Sequence, residues 1–318
     1  VKIVDIAPKR TTGVPRDGLD RPMIVPKEGG TPKAHTRVTT FIDCIEDKSS
    51  LSDWHKRMTM RGASLKPKLL EGLAELDMDD PDTNKVLMRR AESALAAAGT
   101  HEKADRGTRY HELTEYVDRG EQLPVCTDVE LADMAAYMAA TVNLTPVHRE
   151  VFTVCSELGV GGTPDSVSWY DGPGPNVAED PEDWLTAMLI TDLKTGRVDY
   201  GGLKMPAQLA IYAHSEFYDP SYAPFPDRKA EPKLWEKWKK GLYYREEIEP
   251  AYTPLGPVNQ EWGLVLHLEP GSGKCDLHWA NLTLGWEVAN MATTIRAMRS
   301  RKSEGMKPWL SAAVGTNV

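Results

Sequence analysis

Residues 184–196 read WLTAMLITDLKTG. The apolar run Ala187-Met188-Leu189-Ile190 is what a buried strand needs, and Gly196 provides the turn that ends it. Side chains alternate along a strand, so Asp192 and Lys194 emerge side by side while Leu193 turns the other way into the core. Upstream, residues 150–170 read EVFTVCSELGVGGTPDSVSWY, β-prone runs broken by Gly159, Gly161 and Gly162. If this segment pairs with the 184–194 strand, Asp165 meets Asp192 across the ladder. Two carboxylates brought together repel unless a cation lies between them. Oxygen donors of this kind suit a hard divalent metal. A lysine beside them is a poor ligand, but it can hold a water or steady negative charge in a transition state.

Working outward, helical patterning dominates from about Leu51 to Ala140. A run from Val86 to Ala98 has apolar spacing and high helix propensity, and Gly99 stops it. The stretch ADRGTRYHELTEYVDRG predicts a helix opening near Gly107 and stopping at Gly120; DVELADMAAYMAA predicts another, with Asp128 as its N-cap. Downstream of the strands, residues 203–218 return to helical spacing, and KLWEKWKKGLYYREE predicts a basic, aromatic helix. WGLVLHLEP and KCDLHWA read as strands before a final helix from about Trp286 to Arg299. The expected fold is a mixed α/β domain with a central mixed sheet flanked by helices. Residues 1–40, rich in Pro, Gly, Lys and Arg, read as an extended arm that is mobile or draped on the domain. Residues 41–318 form one unit, mainly helical over 41–142 and sheet-containing over 143–318.

The 318 residues carry 41% hydrophobic content, enough for a sizeable core, and a net charge of −9. Proteins that grip nucleic acid mainly through phosphates tend to be basic, so any such contact here needs a local positive track. No apolar run approaches the roughly 18 residues of a membrane helix, so no membrane partner is expected. Four cysteines, Cys44, Cys126, Cys155 and Cys275, show no CxxC spacing, and no signal-like N-terminal segment is seen. A reducing cytoplasm is the expected compartment, that of the host if the chain is phage-encoded.

Pro164-Asp165 followed by Asp192-x-Lys194 resembles the signature of the PD-(D/E)xK nuclease superfamily. Three flanking elements stand in the order of its RecB-like branch. Gly107-Thr108-Arg109-Tyr110-His111 resembles the G-x-x-x-H helix motif. Gly161-Gly162-Thr163-Pro164-Asp165 resembles the G-x-x-D element, and Gln208-Leu209-Ala210-Ile211-Tyr212 the Q-x-x-x-Y helix motif. The similarity covers residues 107–212 and points to RecB nuclease domains and CRISPR-associated RecB-like exonucleases, forms of which phages carry. It implies a restriction-endonuclease-like core and a metal-dependent DNA exonuclease. By the same resemblance His111, Asp165, Asp192 and the Leu193 carbonyl would hold Mg²⁺ or Mn²⁺, and Lys194 would complete the catalytic set. Gln208 and Tyr212 would border the site and approach DNA ends. Some relatives carry an iron–sulfur cluster on one upstream and three clustered downstream cysteines; the spacing here departs from that pattern, and no cluster is expected.

Thr195, Arg197 and Lys204, with Lys239 and Lys240, are candidates for phosphate contact, and Glu150 for an additional acid. Trp235 and Trp238 fit either base stacking or, more commonly, an amphipathic helix with core tryptophans. His111-Glu112-x-x-Glu115 lacks the second histidine of a zinc-protease motif. No GxxxxGK[ST] P-loop occurs, so ATP-driven unwinding is not expected from this chain. Two other functions compete with the exonuclease: an endonuclease on the same fold, and a non-catalytic DNA-end or recombination adaptor. An adaptor would carry a broken motif, whereas here every catalytic position is filled.

Overall fold

The computed structural model describes residues 13–199, 201–220, 225–241, 251–301 and 304–305. In chain order the strands are β1 (Met23–Ile24), β2 (Lys33–Ala34), β3 (Thr36–Arg37), β4 (Leu144–Arg149), β5 (Thr153–Cys155), β6 (Val160–Gly162), β7 (Ser166–Pro173), β8 (Trp184–Lys194), β9 (Glu216–Tyr218), β10 (Tyr252–Pro254), β11 (Trp262–Leu268) and β12 (Cys275–Asn281). The helices are α1 (Val38–Ile42), α2 (Ser49–Leu65), α3 (Thr83–Ala97), α4 (Thr100–Asp118), α5 (Asp128–Ala140), α6 (Lys204–Ala213), α7 (Pro232–Lys239) and α8 (Leu282–Ser300).

The apolar run that opened the sequence reading becomes β8, the centre of a five-stranded sheet ordered β12-β11-β8-β7-β4. β8 runs parallel to β11 and antiparallel to β7, so the sheet is mixed. Its faces explain why the run is continuous rather than alternating. Ile190, Val167 and Val265 pack with Leu209 of α6 and Val288 of α8 in one core. Leu189, Leu193, Leu264 and Leu266 pack with Leu113 of α4 and Met134 of α5 in the other. A strand covered on both faces has no solvent side to be polar. Each of these fully buried aliphatic side chains contributes about 1.5–3 kcal/mol. α6 and α8 approach closely because Gly285 has no side chain: a Cβ there would lie 2.2 Å from the Pro206 carbonyl oxygen.

The single sheet expected from sequence is in fact two. A second five-stranded sheet has the order β10-β9-β5-β6-β3, and β1 and β2 form a separate ribbon. Its strands are only two or three residues long and far apart in the chain, which leaves little periodicity to read. The stretch 203–218, expected to be helical throughout, ends as helix at Ala213 and closes with strand β9. Within the arm, described residues 13–40 are draped on the domain: Ile24 is fully buried and β3 pairs in parallel with β6. Residues 1–12 lie outside the described residues, as do 242–247 of the basic helix expected from KLWEKWKKGLYYREE.

Three boundaries differ for local reasons. α4 begins at Thr100 rather than near Gly107, since Gly99 with φ 79° breaks the chain there. Thr127, not Asp128, caps α5: its hydroxyl accepts from the Glu130 N–H while Glu130 accepts from the Thr127 N–H. α8 starts at Leu282, capped by Asn281, not at Trp286. Trp235 and Trp238 are buried beside Met23, so they serve packing. Among the described residues, no helix is long and apolar enough to cross a membrane.

Candidate active site

The β7–β8 register sets Ser166 opposite Thr191, which carries Asp165 to a position opposite Asp192 at the end of the ladder. One step further the register would face Pro164 with Leu193. Proline has no N–H to give the Leu193 carbonyl, and the Leu193 N–H donates to Asp165 Oδ2 at 2.7 Å instead. The Pro-Asp pair thus ends the ladder and draws its carboxylate against the neighbouring strand. Asp192 is buried, with Oδ1 accepting from Gln208 Nε2 at 3.2 Å. Its Oδ2 is buried without a hydrogen bond, and the Lys194 ammonium meets it in an ion pair. His111 reaches in from α4, its Nδ1 3.8 Å from Asp165 Oδ2. The helix comes this close at Gly107, where a Cβ would sit 3.1 Å from Thr195 Oγ1.

Burial, and then the charge of Asp192, push the Asp165 carboxyl up to about 6, against the opposing pull of His111 and Lys194. Tyr212 is buried beneath the pair; burial first, then the two aspartates, hold its phenol above the usual range. Gln208 and Tyr212 are 8% and 2% exposed. Both lie beside the carboxylates, Gln208 in direct hydrogen bond to Asp192. A cavity beside the site is lined by His111, Asp165, Ser166, Thr191 and Arg149. Arg149, at the end of β4, pairs with Asp118 and has its guanidinium pKa lowered by burial. Arg149 neighbours the sequence candidate Glu150, and nothing in its spacing marks it.

Thr195 and Arg197 follow Lys194 in the turn beyond β8 and line a groove, with Arg197 paired to Asp199 at 2.9 Å. Lys204 is engaged by Asp43 and Glu46 at 2.8 and 2.6 Å. Lys239 pairs with Glu236.

Among the described residues, no three His, Cys, Asp or Glu side chains are gathered into a ready-made metal set. The donor types of His111, Asp165 and Asp192 nevertheless fit a divalent cation. Two neighbouring carboxylates, one paired with Lys194 and the other with its ionisation resisted by burial and by its neighbour, are what a cation would relieve. The cysteines do not fit a cluster: Cys44 and Cys155 pack on one face of the main sheet, Cys126 and Cys275 on the other. No protein-family model matches the chain, and a search of curated proteins finds no similar sequence.

Proposed function

We propose that this protein is a Mg²⁺- or Mn²⁺-dependent deoxyribonuclease that hydrolyses phosphodiester bonds from DNA ends. The observation that carries the proposal is the placing of Asp165, immediately before β7, beside the end of β8 that bears Asp192, with Lys194 on one carboxylate and His111 beside the other. That set matches the resemblance to RecB-like nucleases residue for residue.

His111, Asp165 and Asp192 would hold the metal, with the Leu193 carbonyl free of any proline N–H. When bound, the ion lowers the pKa of a water and offsets the charge of the scissile phosphate. Imidazole suits softer ions than magnesium, which favours acceptance of Mn²⁺. Lys194, paired with Asp192 in the metal-free protein, would be the group that holds the attacking water and steadies the phosphate oxygens. Gln208 holds Asp192 in place through Oδ1. His111 and Asp165, reaching the same point from helix and strand, fix the position of the reacting group. End-dependence rests on the resemblance and on the helices α2–α5, which supply material to wall a channel.

The test is digestion of end-labelled linear DNA beside covalently closed circles. Activity should be abolished by chelator, restored by Mg²⁺ or Mn²⁺ but not by Ca²⁺ alone, and directed at linear molecules. Asp192→Ala should lose about 3 kcal/mol or more of transition-state stabilisation. Full activity in Asp192→Ala would refute the site, and circles cut as fast as linear DNA would refute end-dependence.

A further inference from the structure

Beyond Lys194 the chain runs into a groove with an unusual charge for so acidic a protein. Its floor is the turn Thr195-Gly196-Arg197-Val198-Asp199. One wall is the first half of α4, which presents Lys103 and Arg106; the other is the end of β11, which presents His267 and Glu269. The parallel β8–β11 register sets His267 directly beside Lys194, so groove and candidate site share a wall. Lys103 and Arg106 are exposed, and no ion pair engages either among the described residues. The groove holds three cations against two carboxylates, one of them already paired with Arg197, in a chain of net charge −9. It also lies past the carboxyl ends of two parallel strands, where open α/β sheets place their ligands.

We propose that this groove is a backbone-binding subsite that grips the phosphates of a DNA strand flanking the bond to be cut, with Lys103 and Arg106 as its principal contacts. The proposal rests on the nuclease reading for the identity of its ligand. Arg197 lies three residues beyond Lys194, at most about 10 Å along an extended chain. At about 3.4 Å of rise per nucleotide, the groove covers phosphates within roughly three nucleotides of the cut. The arrangement resolves the conflict between acidic composition and a polyanionic substrate: local cations form the track, while the acidic remainder discourages coating of DNA elsewhere. α4 carries Lys103 and Arg106 on its first turns and His111 further along. One rigid helix therefore sets the distance between the flanking contacts and the site.

The experiment measures binding without cleavage. A fluorescein-labelled single-stranded oligodeoxynucleotide is titrated with the full chain in chelator across a range of salt, for wild type and for K103E/R106E. Matching circular dichroism and unfolding midpoints establish that the variant is folded; if it is not, Lys103→Gln with Arg106→Gln replaces it. Wild type should bind with a salt-dependent affinity. The variant should bind at least about tenfold more weakly, with the log–log salt slope reduced by about 1.4, the loss of two single-strand phosphate contacts. Unchanged affinity and slope in the folded variant would overturn the groove and leave the nuclease reading intact. Binding lost in the variant, together with a wild type inert towards DNA in Mg²⁺ and Mn²⁺, would support the groove and sink the nuclease reading. Displacement of the oligonucleotide by deoxynucleoside monophosphate at equal concentration would overturn a strand-binding subsite in favour of a free phosphate site.

Discussion

Replacing Asp165 by asparagine should make the metal-free protein more stable at neutral pH while removing its activity. The Asp165 carboxyl sits opposite Asp192 and is raised from 3.8 to about 6, burial being the largest cause and Asp192 the next. A rise of that size amounts to about 3 kcal/mol at about 1.36 kcal/mol per pKa unit, charged against the folded state whenever the group is ionised. The side chain is still 31% exposed. Solvent screening lowers this, to an effect on the order of 1–2 kcal/mol. The sign follows from which state binds the proton more tightly. Below 3.8 both folded and unfolded chains hold it and the penalty vanishes; it grows as pH rises from 3.8 to about 6 and is complete above that. Asparagine never ionises, and its amide oxygen can still accept from the Leu193 N–H. Urea unfolding in chelator should therefore show Asp165→Asn ahead of wild type by on the order of 1–2 kcal/mol at pH 7.5 and level with it below pH 3.8. A variant less stable than wild type at pH 7.5, or a gain of equal size at both pH values, would refute the reasoning. A loss of activity combined with a gain of stability is the mark of a site strained for function.

Two further outcomes follow from the packing around the site. Gln208→Ala deletes the buried amide that holds Asp192 Oδ1; a hydrogen bond to a charged group is worth about 1.5–3 kcal/mol, so kcat/KM on linear DNA should fall roughly 10- to 100-fold. Unchanged kcat/KM would show that Asp192 is oriented without it. Asp133→Ala removes a buried carboxylate that accepts from Tyr110 Oη at 2.5 Å and from the Gly271 and Gly273 N–H groups at 2.7 Å each. Leaving those three donors unpaired should cost about 3 kcal/mol or more in urea unfolding, and a loss under 1 kcal/mol would refute the clamp.

The sequence made the centre of this molecule legible and its periphery much less so. β8 could be read because a strand covered on both faces must be apolar throughout, and the acids at its end then had to share an edge with β7. Asp165, Asp192 and Lys194 fall together for that reason, and His111 joins them through its helix. The burial of Gln208 and Tyr212 was hidden, because helical spacing says which residues share a face but not what lies above it. Thr127 as the cap of α5 could have been found from Thr127-x-x-Glu130, a capping-box pattern present in the sequence. Lys103, Arg106 and His267 had no such signal. They meet only through the packing of α4 against the sheet, over a separation in sequence that spacing cannot bridge. The second sheet escaped for a similar reason, being made of very short strands contributed from distant places.

That second sheet joins segments as far apart in sequence as residues 36 and 254. Its five strands come from residues 36–37, 153–155, 160–162, 216–218 and 252–254, and the earliest of them, β3, lies on an edge beside β6. Such non-local pairing closes long loops before it gains contacts, which slows folding. On a ribosome the β7–β8 hairpin, with its partners adjacent in sequence, can form well before β10 has been made. A shortened gene product that began after residue 37 would keep every candidate catalytic side chain yet leave the outer edge of β6 unpaired, and an open strand edge is a template for aggregation. Residues with no part in the chemistry thereby set how slowly the protein matures and how cleanly it stays in solution.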